Sequence, residues 1–116
     1  MADLTPSRPH IAAMSAAAID RVRQLETLAS ALPQVAIATD HVFHAGLYAR
    51  TVKVPAGVVI TGVLIKIPTL LIVHGDAIVH IDDGPLELHG YTVLPASAGR
   101  KQALLALTDT HLTMVF

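Results

Sequence analysis

The chain has 116 residues, of which 53% are hydrophobic and only 15% charged, with a formal net charge of -1. A disordered chain would be polar and highly charged, so these figures describe one folded domain of ordinary size, with more apolar residue than a monomer needs to hide. There is no cysteine, which excludes disulfides, thiolate metal sites and cysteine nucleophiles.

Residues 1 to about 10 hold Pro6 and Pro9 with Ser7 and Arg8 between them, and read as an extended arm. From about Ile11 to Leu32 apolar side chains recur every three or four residues, at Ile11, Met14, Ala18, Val22, Leu25, Ala29 and Leu32. That spacing predicts an amphipathic helix, which Pro33 ends. From Ala18 onward the rhythm is 4-3-4-3, as in a coiled-coil seam. Two readings follow: a helix packed on its own sheet, or one that joins subunits through Ile11, Met14, Ala18, Val22, Leu25 and Leu32. The start of the chain lacks a basic segment ahead of an apolar run, so no export signal is expected. The apolar run Val58–Val73 is too short and too interrupted, by Gly62, Lys66 and Pro68, to span a membrane.

Beyond Pro33 the pattern changes to short runs rich in Val, Ile, Leu and Thr. Strands are predicted at 35–38, 42–43, 47–54, 58–66, 70–73, 77–81, 86–88, 92–94, 102–107 and 112–115. Pro55-Ala56-Gly57, His74-Gly75-Asp76, Asp82-Asp83-Gly84-Pro85, His89-Gly90 and Ala98-Gly99 supply turns. Many short strands at near-regular spacing predict a sandwich or barrel. The organisation expected is an arm and helix over 1–33 and a β domain over 34–116.

The run Gly46 to Gly57, then Val59-Ile60-Thr61-Gly62, the stretch Leu71 to Ala77, the segment Pro95 to Lys101 and the closing Thr108-Asp109-Thr110 resemble a family of small cupin-like proteins of tailed bacteriophages. The resemblance covers roughly residues 38 to 116. It implies a mainly β, cupin-like jelly roll (a double-stranded β-helix) and no particular activity. Cupin chemistry commonly rests on a metal held by two or three histidines and a carboxylate inside the barrel. Related phage proteins often carry histidines near the positions of Ile65 and Thr69, and cupins carry another where Lys101 or Gln102 falls here. The resemblance, with those ligands replaced, implies an interior packed with apolar side chains and neither metal nor other cofactor.

The remaining histidines are weighed separately. His41 and His44 lie three apart, which on a strand sends them to opposite faces. His74, His80 and His89 surround the Gly75-Asp76 turn and could approach one another across a hairpin. A surface role is the plainer reading of each. No Gly-x-Ser-x-Gly elbow or phosphate loop appears, and Asp82 with Asp83 reads as a turn. The pairs Arg21/Arg23 and Arg100/Lys101 read as solvated edges, and Phe43, Tyr48, Tyr91 and Phe116 are too few for a nucleic-acid stacking platform.

No catalytic residue is therefore expected. Two roles remain. One is a phage structural or accessory protein, a virion decoration or minor capsid component, forming a homo-oligomer and meeting other phage structural proteins in the virion or host cytoplasm. The other is a small-molecule-binding cupin-like protein, with Arg50, Lys53, Lys66 and Arg100 the first candidates for an anionic ligand; solvated charge is the simpler account of these four. A metal-dependent enzyme ranks third. Neither nucleic acid nor membrane is an expected partner.

Overall fold

The computed structural model describes residues 10–116; the predicted arm lies, but for its last residue, outside them. Among the described residues there are one helix, α1 (Ala16–Ser30), and nine strands: β1 (Ala38–His44), β2 (Leu47–Val54), β3 (Val59–Thr61), β4 (Thr69–His74), β5 (Ala77–Ile81), β6 (Gly84–Leu88), β7 (Tyr91–Ala96), β8 (Ala103–Ala106) and β9 (Thr110–Val115).

The strands form two antiparallel sheets. The larger has the order β1-β2-β9-β4-β7 and the smaller β3-β8-β5-β6. Strands far apart in sequence become neighbours, with Val52 beside Leu112 and Val79 beside Leu104. This is the jelly roll expected, with β1 added as an extra strand at one edge. Period-two alternation sets the faces. Val52 and Val54, Leu71 and Val73, Leu94 and Ala96, Val79 and Ala77, and Leu104 and Ala106 point between the sheets and form the core.

The β1–β2 hairpin turns on Ala45 and Gly46, both at positive φ (48° and 81°). Two such residues match the twist of the flanking strands. The Asp82-Asp83 pair closes the β5–β6 hairpin as predicted, with Ile81 opposite Gly84. The Gly75-Asp76 segment is different. It is not a hairpin but a corner, because β4 and β5 belong to different sheets. The chain can turn there because Gly75 has no Cβ: one would fall 2.6 Å from Thr110 Oγ1 and 2.9 Å from the Asp109 carbonyl oxygen.

The helix is shorter than the periodicity suggests. Ser15, in extended backbone, caps it by accepting the Ala18 N–H at 3.1 Å. Its own N–H donates to Asp82 Oδ1 at 2.7 Å. Ile11 and Met14 lie ahead of the helix. The Ile11 N–H donates to the Pro95 carbonyl (2.9 Å) and its carbonyl accepts the Ser97 N–H (2.8 Å), so it pairs beside β7 in parallel. Pairing with an open sheet edge satisfies two backbone groups that one more turn of helix would leave exposed on β7.

Ala18 and Val22 then pack with Met14 on Ala103, whose side chain faces out of the smaller sheet. The layers are thus helix, smaller sheet, larger sheet. This corrects the subunit-joining reading of the helical seam. Ile11, Met14, Ala18 and Val22 are buried inside their own chain, which leaves them no surface to offer a partner. Leu25 is half-buried against the same cluster, and Leu32, beyond the helix end, is exposed.

Candidate functional site

The jelly roll is not packed solid. Between the sheets lies a cavity of about 360 Å3 that opens at one end, walled by Val52, Ile60, Ile65, Leu71, Val79, Leu104, Leu112, Met114 and Phe116 among others. The apolar lining is as the sequence suggests; the filling is not. Small Val and Ala side chains at inward positions leave space that the short β3 cannot close.

Four polar side chains join this wall: Thr39, Arg50, Thr61 and Gln102. Thr39 Oγ1 donates to the Ile37 carbonyl (3.4 Å) and Thr61 Oγ1 to Glu26 Oε2 (2.8 Å), so both hydroxyl protons are engaged within the chain. Gln102 follows the bend that leads into β8. Its Oε1 accepts Nε–H of Arg100 at 3.0 Å, while its Nε2 is buried with no partner. Because arginine can only donate, this contact fixes which end of the amide faces it and turns the NH2 group away.

Arg100 is wholly buried (0% exposed) and spends its donors inside the chain. Besides Gln102 it bonds the Ser97 carbonyl (2.6 Å, from Nη1) and, through Nη2, Thr69 Oγ1. All three acceptors are neutral, and burial lowers its pKa from the usual arginine value. Lys101 points the other way, out of the barrel. Its ammonium donates to Glu26 Oε2 (3.0 Å) and the Gly62 carbonyl (2.7 Å), tying α1 to the barrel. The Arg100/Lys101 pair is therefore not a solvated edge: one side chain sits under the cavity and the other under the helix.

The four cations proposed for an anionic ligand do not converge. Arg50 lies at the cavity wall but is exposed, Lys53 faces outward on the larger sheet opposite His111, Lys66 is an exposed loop residue, and Arg100 is enclosed, with each of its guanidinium nitrogens bonded within the chain. Of the four, Arg50 alone lines the cavity. Gln102, Thr39 and Thr61 were not legible as a set, since they come from three strands or loops distant in sequence. The alternation of β2 did mark Arg50 as facing away from Lys53.

The histidines divide as well. His74 lies in the larger sheet beside His111, their ring centroids 6.4 Å apart, while His80 is on the smaller sheet opposite Pro85. His89 sits between Asp76 (3.2 Å) and Glu87 (3.1 Å). The hairpin cluster therefore does not form, because its three members are on different sheets and a loop. His41 faces Tyr48 and His44 the opposite side, as their spacing on a strand requires.

A second depression, about 490 Å3, lies outside the barrel between the end of α1 and β3. Two of its polar side chains, Glu26 and Thr61, are already bonded to each other.

No family model matches the chain, and no curated protein matches it. Solved structures do. A cupin superfamily protein from Desulfitobacterium hafniense superposes with a TM-score of 0.58 at 17% identity, over 76% of this chain and 84% of the other. The fold is that of the cupins. The cupin domain of an XRE family transcriptional regulator from Enterobacter cloacae matches at 0.58 and 10% identity, over 70% of this chain and 96% of that domain. A salicylate 1,2-dioxygenase from Pseudoaminobacter salicylatoxidans matches at 0.58 and 16% identity, over 99% of this chain but only 36% of the enzyme. At such identities the likeness concerns the fold, and none of these matches points to a phage.

The cupin fold raises the question of a barrel metal, and the donor set answers it. A mononuclear site needs imidazole, carboxylate or thiolate groups converging at about 2 Å from the ion. Among the described residues the cavity wall has no His, Cys, Asp or Glu, and no group of three such side chains is arranged so that it could hold a metal ion. Ile65 and Gln102 both line this wall, and neither side chain is an imidazole or carboxylate. These residues do not fit a metal.

Proposed function

We propose that this cupin-fold chain binds a small organic ligand non-covalently in its barrel and performs no metal-dependent chemistry. One observation carries the reading: an open, mainly apolar cavity of about 360 Å3 between the sheets, with few polar side chains in its wall. The volume lies in the range of pockets that enclose small molecules, with few polar groups to orient the guest.

Thermal denaturation against a broad metabolite set tests this. A ligand at a hundred times its Kd stabilises the fold by about 2.7 kcal/mol. Ile60→Trp, which puts an indole into the cavity wall, is expected to abolish the shift. A wide set that yields no shift would remove the reading.

A second reading, self-assembly, is supported by the outer face of the larger sheet. Val42, Ala49, Val115, Leu70 and Pro95 are cross-strand neighbours from edge to edge. This apolar row crosses all five strands, and α1 packs on the other sheet. β1 adds a free edge with every residue exposed. A homo-oligomer would cover both. Placing such an oligomer in a phage particle rests only on the resemblance of residues 38 to 116. Mass spectrometry of purified particles tests it, and absence from them would refute it.

A further inference from the structure

We propose that two copies of this chain pair edge to edge through β1, antiparallel, about a twofold axis at Val42. The inference rests on the self-assembly reading above and names its contact and register.

The sheet edges are not alike. Ile11 pairs along that of β7. β3 has three residues, and β6 carries Pro85 and Glu87. Shortness, proline, charge and a covering segment are protections against strand addition. β1 is seven residues long and holds no proline, glycine or lysine. All of it is exposed, Phe43 to 75%. Its single carboxylate, Asp40, sets the register rather than blocking the edge.

The backbone is poised for a further strand. Tyr48 and Phe116 exchange both N–H···O bonds, at 2.8 and 2.9 Å. Tyr48 and Arg50 of β2 therefore bond toward β9, and Ala49 and Thr51 toward β1. Their partners Val42 and Asp40 point N–H and C=O toward β2. Those of Thr39, His41 and Phe43 face the open edge, where no strand lies among the described residues.

Such edge-facing residues oppose one another only when the twofold axis passes through a residue, and side chains choose which. An axis at Asp40 opposes two carboxylates. One at His41 sets Asp40 against Val42 twice, and one at Phe43 leaves Asp40 opposite the Gly46 turn. An axis at Val42 sets Asp40 against His44 twice and Val42 against its own copy. A carboxylate opposite an imidazole is an acceptor facing a donor, and opposite residues are the pairs that stabilise a sheet. On the other face Phe43, stacked on Tyr48 with ring centroids 4.5 Å apart, meets the other copy's His41. The apolar row of Val42, Ala49, Val115, Leu70 and Pro95 then runs on from one five-stranded sheet into the other. The contact is isologous, so it closes as a dimer.

The chain has no cysteine, so single cysteines report the register. Val42 would face its copy as a pair not bonded to each other, with Cα atoms about 4.5 Å apart, a separation that a disulfide spans. Val42→Cys under mild oxidation is expected to give at least tenfold more covalent dimer than His41→Cys or Leu70→Cys. His41→Pro removes an edge-facing N–H that the chain's own ladder does not use. It is expected to convert dimer to monomer in sedimentation, with circular dichroism and melting unchanged. His44→Asp is expected to weaken dimerisation at least tenfold, and Asp40→Lys added to it to restore the dimer within threefold. If His41→Pro misfolds, the cysteines decide alone. An oligomer that crosslinks best through His41→Cys or Leu70→Cys, or that survives a folded His41→Pro, overturns the edge assignment and leaves self-assembly standing. A chain that stays monomeric at millimolar concentration removes both.

Discussion

Gly75 and Ala45 show opposite uses of positive φ. At Gly75 (φ 138°) the backbone passes against Thr110, and a Cβ would meet backbone as well as side chain. Gly75→Ala is expected to destabilise the fold by about 2–3 kcal/mol, read from the urea midpoint. Ala45 (φ 48°) has a Cβ where its turn favours asparagine. Ala45→Asn creates an Asn-Gly hairpin turn and is expected to stabilise by about 1 kcal/mol in the same assay. At Arg100 the sequence offered a surface charge and the structure a buried brace. Arg100→Met removes the donor from three acceptors, Gln102 Oε1, the Ser97 carbonyl and Thr69 Oγ1. A loss of about 3 kcal/mol is expected, since orphaned acceptors are costly whereas a solvated arginine would be silent.

At the scale of elements, α1 is held by two carboxylates as well as by Ala18 and Val22. Glu26 accepts from Thr61 and Lys101, and these bonds hold its carboxyl below the ordinary value of 4.5, the Thr61 hydroxyl contributing most. Asp82 accepts the Ser15 N–H at the helix start, which holds it below 3.8. A depressed carboxyl pKa means the folded state prefers the ionised form. The stabilisation is full above the ordinary values and is lost as the pH falls through the lowered ones. Below about pH 4 the helix is therefore expected to loosen before the barrel. Hydrogen exchange at pH 7 and pH 3 checks this: α1 amides should lose relative protection in acid while β4 and β9 keep theirs. Equal loss in both elements would contradict the two-carboxylate anchor. The strands were largely legible, with β2 and β5 bounded as predicted, because alternation and turn residues are local signals. The helix start was not. The apolar period runs on through Ile11 and Met14, and the serine cap at Ser15 was the signal that separates them.

For the whole molecule, the unequal treatment of the two sheets matters most. The helix covers the outer face of the smaller sheet, and the larger keeps an apolar row in contact with solvent. The apolar excess in the composition anticipated such a surface but pointed to the helix. If two copies meet on that row, Leu70→Lys, beside its central Val115, should shift the mass in solution toward monomer, with the melting curve of the monomer preserved. Light scattering that gives one unchanged mass for both proteins would remove contact through that row.

The sequence by itself determined a mainly β sandwich or barrel and the turn positions, while the jelly roll and its apolar lining were implied by the resemblance to cupin-like proteins. Strands and turns depend on periodicity and on residues with restricted backbone preferences, which act over a few neighbours. Only the tertiary structure decided that the barrel is hollow, that Arg100 lies behind Gln102 and that Arg50 alone of the four cations lines the cavity. Cavities and donor–acceptor sets arise from side chains brought together across 31 to 75 residues of chain, as Arg100 meets Thr69 and Glu26 meets Lys101, and nothing in local spacing encodes that meeting.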